Sequence, residues 1–376
     1  MALTDRVVMR RVVAARVLVC AVLVSMAAGV RAQVDADGET RLEMNIGGRT
    51  VERMVRGHEE WVYQWPAIYF ESQFAGDHVR LQFDDASNNF NVLVDDRPLM
   101  LVKRPGRTSV TLDHLGTGTH TVRLEKVTET REETGAFAGF FVANAEEALP
   151  AKVAERRIEF VGDSLTVGFG NMSAFGTCSK EELFATTNAQ ESFGPLVAKH
   201  YKAEYRVEAF SGLGLVRNAG GTLYPQYSLP ILWPRTLFDD PAEGATPWSP
   251  QVIVIGIGGN DFSLPFGSSE RWKTQAEMAA EFERTYEAFI KSLRRSYPNA
   301  LIVMMWTSDK SAEFTRSAAH VYAALQSDGM KNIDRLELPK MERTGCQNHP
   351  NIHDDAAVAK LFEAVIDTHN EAWQGH

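Results

Sequence analysis

Phe160-Val161-Gly162-Asp163-Ser164-Leu165 closes a short apolar run that begins at Ile158. Similar runs recur at 205–210, 252–257, 301–306 and 333–338. Helical segments separate them. Thr274-Gln275-Ala276-Glu277 has the pattern of a capping box opening a long helix, in which the Thr hydroxyl and the Glu carboxylate satisfy orphan N–H groups reciprocally. Further helices are expected over about 312–326 and 354–369. Buried runs alternating with helices predict an α/β domain with a five-stranded parallel sheet, flavodoxin-like, covered on both faces. Such sheets carry their chemistry beyond the carboxyl ends of the strands. Ser164 stands at such an end.

Working outward, residues 42–145 read differently. Segments 67–74, 78–83, 90–94, 108–112, 120–126 and 136–142 alternate, or are rich in β-branched and aromatic residues. Gly76-Asp77, Asp84-Asp85, Asp95-Asp96 and Gly116 with Gly118 supply the turns. No helical period interrupts the series, which predicts an antiparallel β-sandwich, a jelly roll, over 33–146. A linker around 146–155 then leads to the α/β domain, 147–376.

The first 32 residues belong to neither. Arg6, Arg10, Arg11 and Arg16 precede an apolar run, 17–30, and Val30-Arg31-Ala32 offers a cleavage site. This is the pattern of a signal peptide cut after Ala32. The run falls short of the roughly 20 residues that span a bilayer. The expected product is secreted or periplasmic, leaves the membrane once cut, and is a monomer. Five arginines and one aspartate leave with the leader, so the net charge moves from −10 to −14. Nucleic acid and anionic membrane surfaces, which need clustered Lys and Arg, are poor partners for such a chain.

Two other strand ends resemble the first in kind. Ser211-Gly212-Leu213-Gly214 follows the second strand, and Gly258-Gly259-Asn260-Asp261 the third. Acyl transfer needs donors aimed at an oxyanion, and the N–H groups of Ser164 and Gly212 with the Asn260 amide would converge there. Each block alone could be an ordinary turn. A serine hydroxyl also needs a base, and Gly345-Cys346-Gln347-Asn348-His349-Pro350-Asn351 brings His349 to the same edge before the last helix. His353 is its rival. The two histidines could be read as a metal pair, but no cluster with ligand spacing accompanies them, so neither metal nor cofactor is expected. Of three cysteines, Cys20 lies in the leader. Cys178 and Cys346 remain, both near the proposed catalytic residues, and an oxidising compartment favours a disulfide tying the two loops together.

At these four blocks the sequence resembles the SGNH (GDSL) hydrolase superfamily: Ser164, Gly212, Asn260 and His349 stand at the positions that name it. Arg217-Asn218, Pro234-Arg235-Thr236-Leu237, Gly259-Asn260-Asp261-Phe262-Ser263 and the upstream Asn88-Asn89-Phe90-Asn91-Val92-Leu93-Val94-Asp95 look like carbohydrate esterase family 2. The resemblance covers nearly the whole mature chain. It implies a serine esterase removing acetate from plant-type polysaccharides such as xylan and glucomannan. One departure matters. Many SGNH hydrolases carry an Asp two or three residues before the histidine, where this chain has Gln347 and Cys346. In some family 2 members a main-chain carbonyl orients the histidine, and the Asn348 carbonyl would be its counterpart, giving a Ser–His dyad. Asp354 and Asp355 are expected to begin the last helix, and Asp163 and Asp261 to hold the loops.

On the substrate side, Trp306 ends the fourth strand and is the first choice for a sugar-stacking platform. Trp248, Tyr224 and Tyr227 lie in loops bound for the same rim. Arg217 and Asn218 either brace the cleft or reach a sugar, with bracing favoured. Two other readings remain: a carbohydrate-binding protein that lost its chemistry, and an esterase for other acylated glycans such as peptidoglycan, or for lipid.

Overall fold

Alternation in the first third of the chain becomes two antiparallel sheets. A computed structural model describes residues 38–130, 133–221, 223–244, 248–267, 270–308 and 311–374; the leader expected over 1–32 lies outside them. The strands are β1 (Thr40–Arg41), β2 (Asn45–Gly47), β3 (Val51–Val55), β4 (His58–Tyr63), β5 (Tyr69–Ala75) and β6 (Val79–Asp85). There follow β7 (Asn89–Val94), β8 (Arg97–Lys103), β9 (Gly106–Leu112), β10 (Thr119–Lys126), β11 (Gly135–Val142) and β12 (Ala148–Leu149). One sheet runs β3-β4-β11-β6-β9 with β1 beside β11; the other runs β12-β5-β10-β7-β8 with β2 beside β5. In β6 the buried positions Val79, Leu81 and Phe83 fall two apart, so one face meets the opposite sheet. Rings interlock across the gap: Phe70 lies 4.9 Å from Phe137, and Phe83 5.6 Å from Phe90.

The sequence reading missed β3, β4 and β8. All three carry charged residues on a solvent-facing side, and β3 and β8 are edges. Pro98 is tolerated in β8 because an edge strand leaves one row of hydrogen bonds unpaired. Strand β12 extends the sandwich past the expected boundary at 146 by pairing with β5.

The second half contains β13 (Arg157–Gly162), β14 (Glu204–Ala209), a hairpin of β15 (Arg235–Leu237) and β16 (Asp240–Gly244), then β17 (Val252–Gly256), β18 (Leu301–Thr307) and β19 (Ile333–Leu338). The parallel sheet runs β14-β13-β17-β18-β19, the flavodoxin-like order. Its helices are α1 (Ser164–Val167), α2 (Lys180–Thr186), α3 (Phe193–His200), α4 (Leu229–Leu232), α5 (Gln275–Ser296), α6 (Ala312–Ser327) and α7 (Ile352–Asp367). Alternate residues of β17 serve two cores. Val252 and Val254 pack with Phe193 of α3 and Phe362 of α7, whereas Ile253 and Ile255 pack with Phe282 of α5 and Phe314 of α6. The expected capping box of α5 forms by half. Thr274 accepts from Glu277 N at 3.2 Å, but the Glu277 carboxylate reaches one residue further back, to Lys273 N at 2.8 Å. No helix among the described residues is long and apolar enough to cross a membrane.

The sandwich and the α/β half share a core. Phe70, Phe83 and Phe137 belong to the same apolar cluster as Phe210, Phe238 and Ile255, and the described residues form one compact unit. Trp65 packs edge-on to Phe238 at 4.6 Å. Arg49, in the loop after β2, is buried between the halves. Its Nε lies 2.6 Å from Glu208 of β14 and a terminal nitrogen 3.2 Å from Glu159 of β13. Burial pushes the Glu208 carboxyl up to about 7 against the pull of Arg49.

Such a pair adds little net stability when whole, yet losing one partner strands a buried charge, at about 3–5 kcal/mol. Arg49→Met should therefore cost about 3–5 kcal/mol in urea denaturation. A raised folded-state pKa means that stability is present at low pH and lost as pH rises through the folded value. Without Arg49 that value rises further, so the deficit should be larger at pH 8 than at pH 6.

Candidate active site

Four loops at the carboxyl edge of the parallel sheet build the site. Strand β13 stops at Gly162, where a Cβ would fall 2.0 Å from Thr166 Oγ1 and 2.8 Å from the Gly256 carbonyl. The chain turns at once into α1. Asp163 caps it, accepting from Leu165 N at 3.1 Å, and Ser164 becomes its first residue. An N–H at that position has no intrahelical acceptor and stays available.

Ser164 Oγ lies 2.8 Å from Nε2 of His349. The other ring nitrogen, Nδ1, lies 3.0 Å from the main-chain carbonyl of Cys346. The orienting carbonyl is thus not the expected Asn348 carbonyl. The backbone explains why: Gln347 and Asn348 both adopt left-handed conformations (φ 52° and 57°), folding a tight turn that brings the Cys346 oxygen back over the ring. His349 N donates to the same oxygen at 3.1 Å. The turn is anchored from outside. Cys346 is bonded to Cys178, with Cα atoms 5.6 Å apart, and Cys346 N donates to the Gly170 carbonyl. Phe169 backs the imidazole, ring centroids 4.5 Å apart. His353 is exposed on α7.

The two acidic residues after His349 are occupied elsewhere. Asp354 accepts from the N–H groups of Glu342, Arg343 and Asn351. Asp355, its pKa pushed up to about 7 by burial, accepts from Asn171 Nδ2 and Phe193 N. Both sit in the first turn of α7, capped by Asn351. Among the described residues no group of three His, Cys, Asp or Glu side chains could hold a metal ion.

Opposite His349, Gly212 has φ of 88°, and a Cβ there would meet Leu223 at 2.3 Å. Asn260 Nδ2 donates to the Leu213 carbonyl at 2.7 Å and to Asp163 Oδ2 at 3.2 Å. Beneath both, the buried Asp261 accepts from three consecutive N–H groups, of Leu215, Val216 and Arg217, at 2.8–3.0 Å. Burial pushes its pKa up to about 7 while the N–H groups pull it back. Arg217 is buried against Glu270 and the Asp261 and Pro265 carbonyls. Asn218 accepts from Gly214 N and donates to the carbonyls of Leu223, Tyr224 and Tyr227. Both residues brace the loop.

Ser164, Gly212, Asn260 and His349 line one open cleft of about 1250 Å³. Tyr224 lines it too. Trp306 does not: it is 2 % exposed, its indole N–H has no partner, and it lines a separate pocket behind Ser164. The fourth strand ends inside the protein, so its last side chains face packing rather than solvent. Trp248 lies at the opposite end of the sheet, its Nε1 3.4 Å from Glu204 at the start of β14 and its ring under Arg206. Tyr227 packs by Arg235.

Sequence reasoning missed the far wall. Ser87, Arg104, Glu129, Thr130 and Glu133 of the sandwich half line the cleft, with Phe184 below Arg104 at 4.0 Å. Glu129 accepts from Ser211 N, next to Gly212, at 2.6 Å. Nothing local marks these residues; they reach the cleft only through the docking of the sandwich.

A hydroxyl on an imidazole at a strand end, faced by backbone and amide donors, defines a serine hydrolase of the SGNH type. Residues 46–151 match the family described as Carbohydrate esterase 2 N-terminal, and 160–334 the GDSL-like Lipase/Acylhydrolase family. An acetylxylan esterase/glucomannan deacetylase of Cellvibrio japonicus is 38% identical over 340 residues, 90% of this chain and 94% of the relative. Cellulase/esterase CelE of Acetivibrio thermocellus is 31% identical over 80% of this chain, which spans 37% of that longer protein. A solved carbohydrate esterase, whose active site displays divergent catalytic and non-catalytic binding functions, superposes with a TM-score of 0.83 at 37% identity, covering 89% of this chain and 99% of the other. A family two carbohydrate esterase from Clostridium thermocellum in complex with cellohexaose shares the fold, with a TM-score of 0.75 at 24% identity over 88% of this chain and all of that one. The chain belongs to carbohydrate esterase family 2.

Four variants test the geometry. Gly212→Ala forces a Cβ into a left-handed position and displaces the N–H; kcat on an aryl acetate should fall about 10²-fold in a protein that still melts cooperatively. Asp354→Asn and Asp355→Asn should lower Tm yet keep kcat within about threefold, whereas His349→Ala should lower kcat by at least about 10³-fold.

Proposed function

We propose that the protein is an acetyl esterase that removes O-acetyl groups from plant-type polysaccharides or their oligosaccharides, xylan and glucomannan, through a Ser164–His349 dyad. The observation that carries this reading is the 2.8 Å contact between Ser164 Oγ and His349 Nε2, with Nδ1 held by a main-chain carbonyl. A neutral imidazole so held presents a bare Nε2 lone pair to the hydroxyl.

Ser164 Oγ attacks the acetyl carbonyl carbon as its proton passes to Nε2. The oxyanion is met by Ser164 N–H, Gly212 N–H and the Asn260 amide. Nδ2 of Asn260 exchanges its longer contact, to Asp163, for the substrate. Collapse breaks the bond to the sugar oxygen, which leaves with the proton from His349. Water then attacks the acetyl-enzyme, giving a proton to His349, and the second collapse releases acetic acid and returns that proton to Ser164.

The size and polar wall of the cleft suit a sugar chain, and the relatives' activities on acetylated xylan and glucomannan agree with it. The Arg-led apolar leader adds export to the periplasm or beyond, where such a polymer would be met, and the protein acts as a monomer.

Acetate release from acetylxylan, acetylated glucomannan, acetylated peptidoglycan and long-chain aryl esters tests the assignment. Release from the first two, abolished in Ser164→Ala, is the expected result. Turnover of long acyl chains alone would overturn it, and acetate from peptidoglycan alone would replace the substrate.

A further inference from the structure

A second, much smaller space meets the cleft at the reacting atoms. Its mouth is formed by Ser164, Asn260 and His349, and its volume is about 120 Å³. Its apolar walls are Ile257, Met305, Trp306, Phe314 and Leu338, all buried over the carboxyl ends of β17, β18 and β19, and Asp163, Ser263, Thr307 and Arg343 also line it. Gly256 forms part of its lining; a Cβ there would fall 2.1 Å from Met305 Cε, so the tip of the methionine lies against the glycine.

An ester bound at Ser164 has two arms. The open cleft, some ten times larger and walled by polar residues of the sandwich half, suits the alcohol arm. The small pocket, with five apolar side chains in its wall, suits the acyl arm. We infer that the pocket behind Ser164 is the acyl subsite, that the acyl chain turns inward away from the cleft, and that Met305 and Trp306 set its greatest length. This rests on the esterase assignment and deepens it. At roughly 30 Å³ for each small heavy atom, 120 Å³ holds about four of them. Acetyl, propionyl and butyryl groups fit, and hexanoyl does not.

The pocket also explains Trp306. Its ring closes the acyl space instead of stacking on sugar, and its indole N–H bonds to nothing, so Trp306→Phe removes volume without orphaning a partner.

The test is kcat/KM of the full chain on 4-nitrophenyl acetate, butyrate, hexanoate and octanoate, with melting curves for every variant. The wild type should lose at least about tenfold between butyrate and hexanoate, since a single methylene against a fitted wall is worth about 10–200-fold. Met305→Ala and Trp306→Phe should each raise the hexanoate-to-acetate ratio at least about tenfold. Gly256→Ala, which drives the methionine tip into the space, should lower the butyrate-to-acetate ratio about tenfold. Ratios are read within one protein, so lost stability does not imitate the effect. Folded Met305→Ala and Trp306→Phe enzymes with the wild-type chain-length profile would overturn the subsite and leave the esterase standing. No hydrolysis of any ester by the wild type would remove both.

Discussion

One carboxylate organises the side of the cleft that faces His349. Asp261 sits directly after Asn260, wholly buried, and takes N–H groups from three consecutive residues of the neighbouring loop. Three donors can point at one carboxylate only if their peptides curl around it, so the bond set dictates the course of residues 215–217. Gly212 opens that loop and Asn260 adjoins the carboxylate, so both residues are positioned from a single point. Arg217 and Asn218 then spread the restraint outward, to Glu270 and to the carbonyls of the 223–227 segment. Preorganisation of this kind is what lets donors stabilise an oxyanion without rearranging as it forms.

His349 is held by a different physical device. A carboxylate behind the imidazole would offer a charge-assisted bond; the Cys346 carbonyl offers a neutral dipole, weaker but fixed. Its precision comes from covalent and backbone restraint: two left-handed residues, a disulfide, and main-chain bonds to Gly170 and Gly176. The imidazole is thus held by rigidity in place of charge.

How far the sequence could be read follows from the range of each signal. The parallel sheet was legible because β17 and β18 are almost wholly apolar, and the gathering of Ser164, Gly212, Asn260 and His349 at one cleft was legible because each lies just past a strand or just before a helix. Strands β3 and β4 escaped because Glu52, Arg53, Glu59 and Glu60 break the alternation that marks a strand. The orienting carbonyl was misplaced by two residues, since a turn through φ of 52° and 57° at Gln347 and Asn348 leaves no compositional trace. Trp306 and Trp248 failed as sugar platforms for a common reason: a loop or strand end places a residue near a rim without saying which way the ring faces. The wall built by Arg104 and Glu129 is a product of docking alone.

The core shared by the two halves has an evolutionary consequence. A sugar-binding appendage joined by a linker can be gained, lost or exchanged between enzymes without harm to the catalytic domain. This sandwich cannot. Cutting near residue 150 would expose Phe238 and Trp65 to water, separate Arg49 from both glutamates and take away one bank of the cleft. Selection therefore acts on a single heritable cassette, and neither half can be reshuffled without the other.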